Sequence, residues 1–204
     1  MWGREAATPK PTTRNAPVRI RAARRDDLRA VRSIERNAQR AFLDSPHPEA
    51  SALEPLLLEE LRWQLEEGWL FVAVEEDDRP VAFVACCVID GDVFVEEVDV
   101  RADCAGQRIG ARLLDRVDEA ARSRGFRRVV LTTFADVPWN APYYRRLGFR
   151  DLPPGEWGPE LAERVDEEDE SGLNRRARVC LVRDVGPREG PSVSGGGRPP
   201  TGRP

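Results

Sequence analysis

The sequence predicts an α/β domain in which one mixed sheet carries helices on both faces. In its first half, apolar segments alternate like strands and end at turn residues, which favours antiparallel pairing between sequence neighbours. In its second half, a strand, a helix and another strand follow one another between residues 93 and 134. A crossover of this kind makes its two strands parallel. Antiparallel and parallel pairs in one chain give a mixed sheet with helices on both faces.

The elements of the first half follow from local patterns. The predicted order is a strand at 18–21, a helix from Leu28 to Ala38, a helix at 52–65 and strands at 69–74, 80–89 and 93–101. Asp26 or Asp27 is suited to cap the first helix, because short polar side chains accept hydrogen bonds from free amides at a helix start. Asp90-Gly91 is a two-residue hairpin signal between the last two of these strands.

The second half begins with a helix that follows a glycine-bearing loop. Leu113, Leu114 and Val117 form the apolar stripe of this helix. The remaining predicted elements are a β-branched strand at 129–134, a short helix around Tyr143–Tyr144, a short helix at 160–165 and a last strand at 176–182.

Composition favours one domain with two tails. A chain of 204 residues holds one core, which we place at residues 17–186. Residues 1–16 and 187–204 are rich in proline, glycine and mixed charge, so we expect both tails to be disordered.

Charge and hydropathy argue against several classes of partner. The net charge of −4, with basic residues spread among acidic ones, gives no case for nucleic-acid binding. No apolar run approaches the roughly 20 residues that cross a bilayer, and no signal peptide is evident. The four cysteines are not spaced as a zinc site, so we expect a metal-free cytoplasmic protein. They are Cys86, Cys87, Cys104 and Cys180.

The loop from Cys104 to Ala111 carries the clearest functional signal. A loop that leads into a helix start presents free backbone amides at the positive end of the helix dipole, and both features favour phosphate. The segment Trp139–Phe149 then places tyrosines beside this loop. A pyrophosphate site next to a phenol suggests group transfer from a CoA-like donor.

At these residues the chain resembles the GCN5-related N-acetyltransferase (GNAT) family. The family's loop reads Arg/Gln-x-x-Gly-x-Gly/Ala before a helix with paired leucines, and its end reads Tyr-x-x-x-Gly-Phe. Here the matching segments are 105–114 and Tyr144–Phe149, and the resemblance extends from about Val18 to about Val185. The chain departs from the pattern at Ala105, where Arg or Gln is usual, and at Arg108, which replaces the first glycine. It also looks like a group of small bacterial members of the family.

The resemblance implies a donor site for acetyl-CoA. Two parallel strands, here 93–101 and 128–134, would splay apart around the pantetheine arm, and the backbone of Val98 and Val100 would bond to it. The pyrophosphate would be held by Ala105, Gly106, Gln107, Arg108, Ile109, Gly110 and Ala111. Asn140 would either bond the pantetheine chain or cap the short helix.

The resemblance also suggests catalytic residues. Tyr144 holds the family's tyrosine position and would protonate the leaving thiolate. Glu97, with Glu96 as the second choice, would remove a proton from the acceptor amine. Neighbours on a strand face opposite sides, so only one of them is expected to reach the acceptor unless a bulge disturbs the alternation. Tyr143 is expected either to pack or to wall the substrate site.

Three other features border the expected acceptor site. His47, the only histidine, lies between two prolines and is read as a loop residue rather than a base. Trp139 would wall the acceptor. The acidic run 163–170 is either a cation-attracting surface or an ordinary solvated one.

The sequence thus predicts an acetyl-CoA-dependent N-acetyltransferase that acts on a primary amine of a small molecule or peptide by direct transfer in a ternary complex. The alternatives are a non-catalytic acyl-CoA-binding regulatory module and an acyltransferase that uses another acyl donor. The identity of the acceptor and the formation of a homodimer stay open.

Overall fold

The computed structural model describes residues 17–186, in which seven strands form one sheet in the order β1-β2-β3-β4-β5-β7-β6. The strands are β1 (Arg19–Ala22), β2 (Leu70–Val74), β3 (Pro80–Ile89), β4 (Asp92–Val100), β5 (Arg128–Phe134), β6 (Arg150–Asp151) and β7 (Arg178–Asp184). The helices are α1 (Leu28–Gln39), α2 (Leu58–Glu66), α3 (Ile109–Ser123), α4 (Ala141–Arg146) and α5 (Pro159–Glu170). The predicted tails, 1–16 and 187–204, lie outside the described residues.

The sheet is mixed and mostly antiparallel, as predicted. Within residues 17–186 only β4 and β5 pair in parallel, and they do so over three residue pairs, from Val93–Val129 to Val95–Leu131. Beyond these pairs β5 continues to pair with β7, while the second half of β4 keeps only β3 as a partner. The central parallel pair is therefore splayed.

Helices cover both faces of the sheet. On one face the apolar stripe of α3, including Leu113 and Val117, packs against β4 residues such as Val93 and Val95. On the other face α1 and α2 cover β2 and β3, and α5 covers Phe94 and the strands beside it. Among the described residues, no helix combines the length and the apolar character needed to span a membrane.

One helix begins elsewhere than predicted, and another begins as predicted but without the expected cap. Helix α2 starts at Leu58 instead of residue 52, since Pro55 interrupts the chain and Pro48–Ala52 forms a separate 3₁₀ turn. Asp27 precedes α1 but does not cap it with its side chain. Its carboxylate accepts instead from the Arg24 amide, at 2.7 Å, and from the Arg21 guanidinium.

Helix α5 is twice as long as predicted and is fastened to the β3–β4 hairpin. The turn residue Asp90 accepts hydrogen bonds from the amides of Glu160 (3.2 Å) and Leu161 (2.8 Å), which are free donors in the first turn of α5. Gly158 leaves room for this contact, because a Cβ there would collide with the Asp90 carboxylate. A cap supplied from a distant turn is not visible in the local sequence of the helix.

Candidate functional site

The gap between the splayed strands exposes one edge of β4. Its residues 96–100 have no partner on β5. Val98 and Val100, the two predicted backbone partners of the donor, both lie in this stretch, and their side chains pack against the α3 core. An extended chain placed in the gap would find unpaired backbone groups on β4, which is how a further strand adds to a sheet.

The loop after β4 leads directly into the N-terminus of α3. Gly106 and Arg108 both adopt left-handed backbone conformations, with φ of 78° and 58°. Arg108 immediately precedes α3, and the first amides of that helix have no acceptor within it. On the other side, the Asn37 side chain of α1 accepts from the Ala102 amide at 2.8 Å and fixes the start of the loop. The left-handed conformation explains why the family pattern has glycine where this chain has Arg108.

The two adjacent tyrosines point to different parts of the site. A Cβ built on Gly110 would lie 3.6 Å from the Tyr143 hydroxyl oxygen, so Tyr143 lies over the first turn of α3. Tyr144 packs with the α3-side core, with its ring centroid 5.8 Å from that of Phe149. Burial raises the pKa of the Tyr144 phenol, and the charges of Glu97 and Asp99 raise it further. The phenol therefore stays protonated at neutral pH.

A bulge in β4 places Glu96 and Glu97 on the same face, so the alternation expected of an undisturbed strand does not hold here. Ala85 pairs with Glu97 and Cys86 with Val95, which leaves Glu96 as an extra residue. Val95 and Val98 accordingly both face α3, although they are three residues apart. Both carboxylates project toward α1, α2 and α5.

The two glutamates have different surroundings. Glu96 accepts a hydrogen bond from the Gln64 side chain and pairs with Arg164 at 2.7 Å. Glu97 is half-buried, and burial, followed by the nearby Glu35 charge, raises its pKa from 4.5 to about 8. A carboxylate whose pKa lies near neutral pH can take up and release a proton there, which suits a general base.

Two further carboxylates belong to this site and were missed by sequence reasoning. Glu35 of α1 is 2% exposed and accepts from the Leu56 amide at 3.0 and 3.2 Å, and burial raises its pKa to about 7. Asp99 of β4 has a raised pKa, caused by burial and then by Glu97 and Glu35. Its Oδ2 atom is buried without a hydrogen-bond partner among the described residues. A signal for Glu35 was present, since it occupies the position one turn after Val31 on the apolar stripe of α1.

His47 fastens the segment between α1 and α2 to the end of β5. Its Nε2 lies 2.8 Å from Asp136 Oδ1, its Nδ1 lies 3.4 Å from Glu49 Oε1, and its ring stacks on Phe134 with centroids 4.2 Å apart. These contacts agree with its reading as a loop residue. Trp139 is 44% exposed in the next loop, with its ring 6.0 Å from that of Phe42.

Asn140 precedes α4 without a side-chain cap. It is buried, and its backbone carbonyl accepts from the amides of Tyr143 (2.8 Å) and Tyr144 (3.0 Å). Its position thus orients the helix that carries both tyrosines.

The acidic run 163–170 contributes one residue to a polar network beside the gap. Glu168 of α5 accepts from the Thr132 hydroxyl at 2.6 Å and from Arg178 Nε at 3.2 Å, and Arg178 also donates to Thr132 at 2.8 Å. The Arg178 charge lowers the pKa of Glu97, against the larger effect of burial. Within residues 17–186 no group of three or more potential metal ligands is assembled.

A search against protein-family models matches the acetyltransferase (GNAT) family over residues 31–149, more than half of the chain. Among curated proteins, the probable N-acetyltransferase camello of Xenopus laevis is 30% identical over 100 residues. That match covers 48% of this chain and 46% of the relative, so the chain spans about half the length of this relative.

Solved structures show the same fold. N-acetylglutamate synthase from Neisseria gonorrhoeae, complexed with coenzyme A and N-acetyl-glutamate, superposes with a TM-score of 0.61 at 18% identity, over 84% of this chain and 36% of that one. A GNAT-family acetyltransferase from Staphylococcus aureus Mu50 gives a TM-score of 0.61 at 14% identity, over 83% of this chain and 100% of that one.

Proposed function

Because the chain belongs to the GNAT acetyltransferase family, we propose that it is an N-acetyltransferase that moves the acetyl group of acetyl-CoA to a primary amine. The observation that carries the proposal is the meeting of three features at the β4–β5 gap. They are the unpaired edge of β4, the free amides at the start of α3, and the buried Tyr144 phenol, whose pKa the charges of Glu97 and Asp99 raise.

The donor fits the residues that surround the gap. The amides of Ile109, Gly110 and Ala111 and the loop from Ala105 to Arg108 would hold the pyrophosphate, because a helix start favours anions. The backbone of Val98 and Val100 would hold the pantetheine arm as an added strand. Acetyl-CoA supplies an activated thioester when bound.

Two side chains at the gap would then each transfer one proton. Glu97 would accept a proton from the acceptor ammonium, since its raised pKa matches a neutral working pH. A β4 amide near Val98 would donate to the developing oxyanion. Tyr144 would donate its proton to the leaving sulfur. The charges of Glu97 and Asp99 raise the pKa of Tyr144, which supports a common location for the phenol and the carboxylates.

Direct transfer in a ternary complex is favoured by the state of the cysteines. Cys104 at the loop entrance is buried, and burial raises the pKa of its thiol. Cys86, Cys87 and Cys180 are likewise buried with raised pKa values. A thiol that resists ionisation is a poor nucleophile for an acyl-enzyme intermediate.

The test is a thiol-release assay with acetyl-CoA and a panel of polyamines, amino acids, aminoglycosides and peptides. We expect amine-dependent release of CoA, and a loss of roughly 10²-fold in kcat for Glu97→Gln, the lower range for general-base catalysis. Propionyl-CoA and longer thioesters in the same assay define the acyl group. Tight CoA binding without thiol release for any amine would instead identify a non-catalytic binding module.

A further inference from the structure

A groove on the α2 and α5 side of the sheet reaches Glu96, the chain neighbour of the proposed base. It has a volume of about 470 Å³ and lies between α2 and α5, with the end of β3 as its floor. The side chains that define this α2–α5 groove are Glu59, Glu60, Trp63, Gln64, Glu96 and Arg164. Because of the β4 bulge, Glu96 projects to the same side as its neighbour Glu97, so the groove and the proposed base lie on the same face of the sheet.

The charge of the groove is negative. Three carboxylates line it against a single guanidinium, that of Arg164, which already pairs with Glu96 at 2.7 Å and lies 3.9 Å from Glu167. Glu59 and Glu60 are exposed at the first turn of α2. A cation entering the groove would therefore meet these two carboxylates.

Gln64 adds an independent sign of a missing donor. Its side chain is fully buried, and its amide nitrogen donates to Glu96, which fixes the orientation of the amide because a carboxylate cannot donate. The carbonyl oxygen Oε1 then has no donor among the described residues. Buried acceptors are rarely left unpaired, so the arrangement points to a ligand that brings an N–H group.

The remaining lining suits an apolar spacer with a positive end. Trp63 is 48% exposed and presents an aromatic surface, which attracts ammonium groups by cation–π interaction. Cys87 and Ile89, which lie on the α5 side of β3, form an apolar floor that methylene groups would cover. Glu60 lies one helical turn before Gln64, which is about 6 Å along the axis of α2.

We propose that the acceptor is a linear aliphatic diamine or polyamine, whose reacting amine lies at Glu97 while a second ammonium group occupies the α2–α5 groove. This inference rests on the proposed N-acetyltransferase function. The second ammonium interacts with Glu59, Glu60 and the free carbonyl of Gln64, and several methylene groups separate it from the first.

The experiment compares cadaverine with pentylamine, which has the same carbon chain and one amine. We expect kcat/KM for cadaverine to exceed that for pentylamine at least tenfold. In the double variant Glu59→Gln, Glu60→Gln this ratio should fall toward one, because the isosteric amides remove the charge and retain an acceptor for the Leu57 amide. The matched control is Glu66→Gln, Glu67→Gln, which changes the same charge on exposed residues at the other end of α2 and should keep the wild-type ratio.

Calorimetric titration of cadaverine into the CoA complex separates this inference from the proposed function. Cadaverine binding that is lost in the Glu59→Gln, Glu60→Gln variant supports the groove as an ammonium site. If no amine is acetylated in that case, only the proposed transferase activity is refuted. Equal kcat/KM for the two amines overturns the inference while leaving the activity standing. The inference is also overturned if the double variant keeps the wild-type ratio of kcat/KM for cadaverine over pentylamine. It is overturned as well if cadaverine is neither bound nor acetylated.

Discussion

At the scale of single residues, burial and neighbouring charges give Glu97 and Tyr144 different pKa values. Glu97 has a pKa raised to about 8, whereas the pKa of Tyr144 lies far above neutrality for the same two reasons. One group can therefore accept a proton near neutral pH while the other still holds one. Pairs of groups whose environments separate their roles in this way are typical of acid–base sites.

Tyr144→Phe tests the acid role. The change keeps the ring and its packing against Phe149 but removes the proton, so we expect kcat to fall roughly 10²-fold with little change in the Kd of acetyl-CoA. The loss should be smaller with an activated thioester, whose thiolate leaves without help. Steady-state kinetics with both donors measure the effect.

Tyr143→Phe is the matched control, because this phenol lies over Gly110 instead of facing the carboxylates. Its kcat should fall much less. Full activity of Tyr144→Phe with acetyl-CoA would leave Tyr144 as a packing residue only.

Glu35→Gln tests the electrostatic coupling within the carboxylate cluster. The Glu35 charge raises the pKa of Glu97, so its removal should move the acidic limb of the kcat/KM–pH profile to lower pH, by about one unit or less. An unchanged limb would show that the group titrating in kcat/KM does not sense Glu35.

The same variant should also be more stable at alkaline pH. The folded-state pKa of Glu35 is raised from 4.5 to about 7, so its contribution to stability is complete below about pH 4.5 and is lost as the pH rises through about 7. At about pH 8 we expect Glu35→Gln to exceed the wild type by roughly 3 kcal/mol, and at about pH 4.5 to match it. Denaturant unfolding at the two pH values measures this difference.

At the scale of elements, the start of α3 and the bulge of β4 position the groups of the site. The loop turns through the left-handed residues Gly106 and Arg108 and leads into the first turn of α3, whose amides have no acceptor within the helix. The bulge brings Glu96 and Glu97 to one face, where α1, α2 and α5 can reach both. Both elements border the same gap, which exists only where β4 and β5 stop pairing.

Gly110→Glu tests the assignment of the α3 start as the donor site. A carboxylate placed in the first turn should repel the pyrophosphate and weaken CoA binding by more than tenfold, which is about 1.4 kcal/mol. Gly110→Ala is the control, since its Cβ would make ordinary contacts of 3.6 Å with the Tyr143 hydroxyl and 3.8 Å with Val100. Calorimetry that finds equal affinities for folded Glu and Ala variants would remove the assignment.

At the scale of the whole molecule, the sequence indicates the proposed donor side but not the proposed acceptor side. The donor residues lie on consecutive elements from β4 to α4, so a local pattern of loop, helix, strand and tyrosine describes them. The acceptor side joins Glu35 of α1, Gln64 of α2 and Arg164 of α5, whose proximity depends on tertiary packing. The bulge also places Glu96 on the same face as Glu97, and no glycine or proline indicates it in the sequence. The late start of α2 and the length of α5 were missed because Pro55 and the distant cap at Asp90 decide them.

The fastening of α5 by Asp90 has a consequence for how such an enzyme diversifies. The helix that walls the proposed acceptor groove is attached to a hairpin turn and lies outside the stretch proposed to hold the donor. Under the proposed function, substitutions along α5 and α2 would therefore give descendants of this chain new amines, while the descendants inherit the same thioester donor.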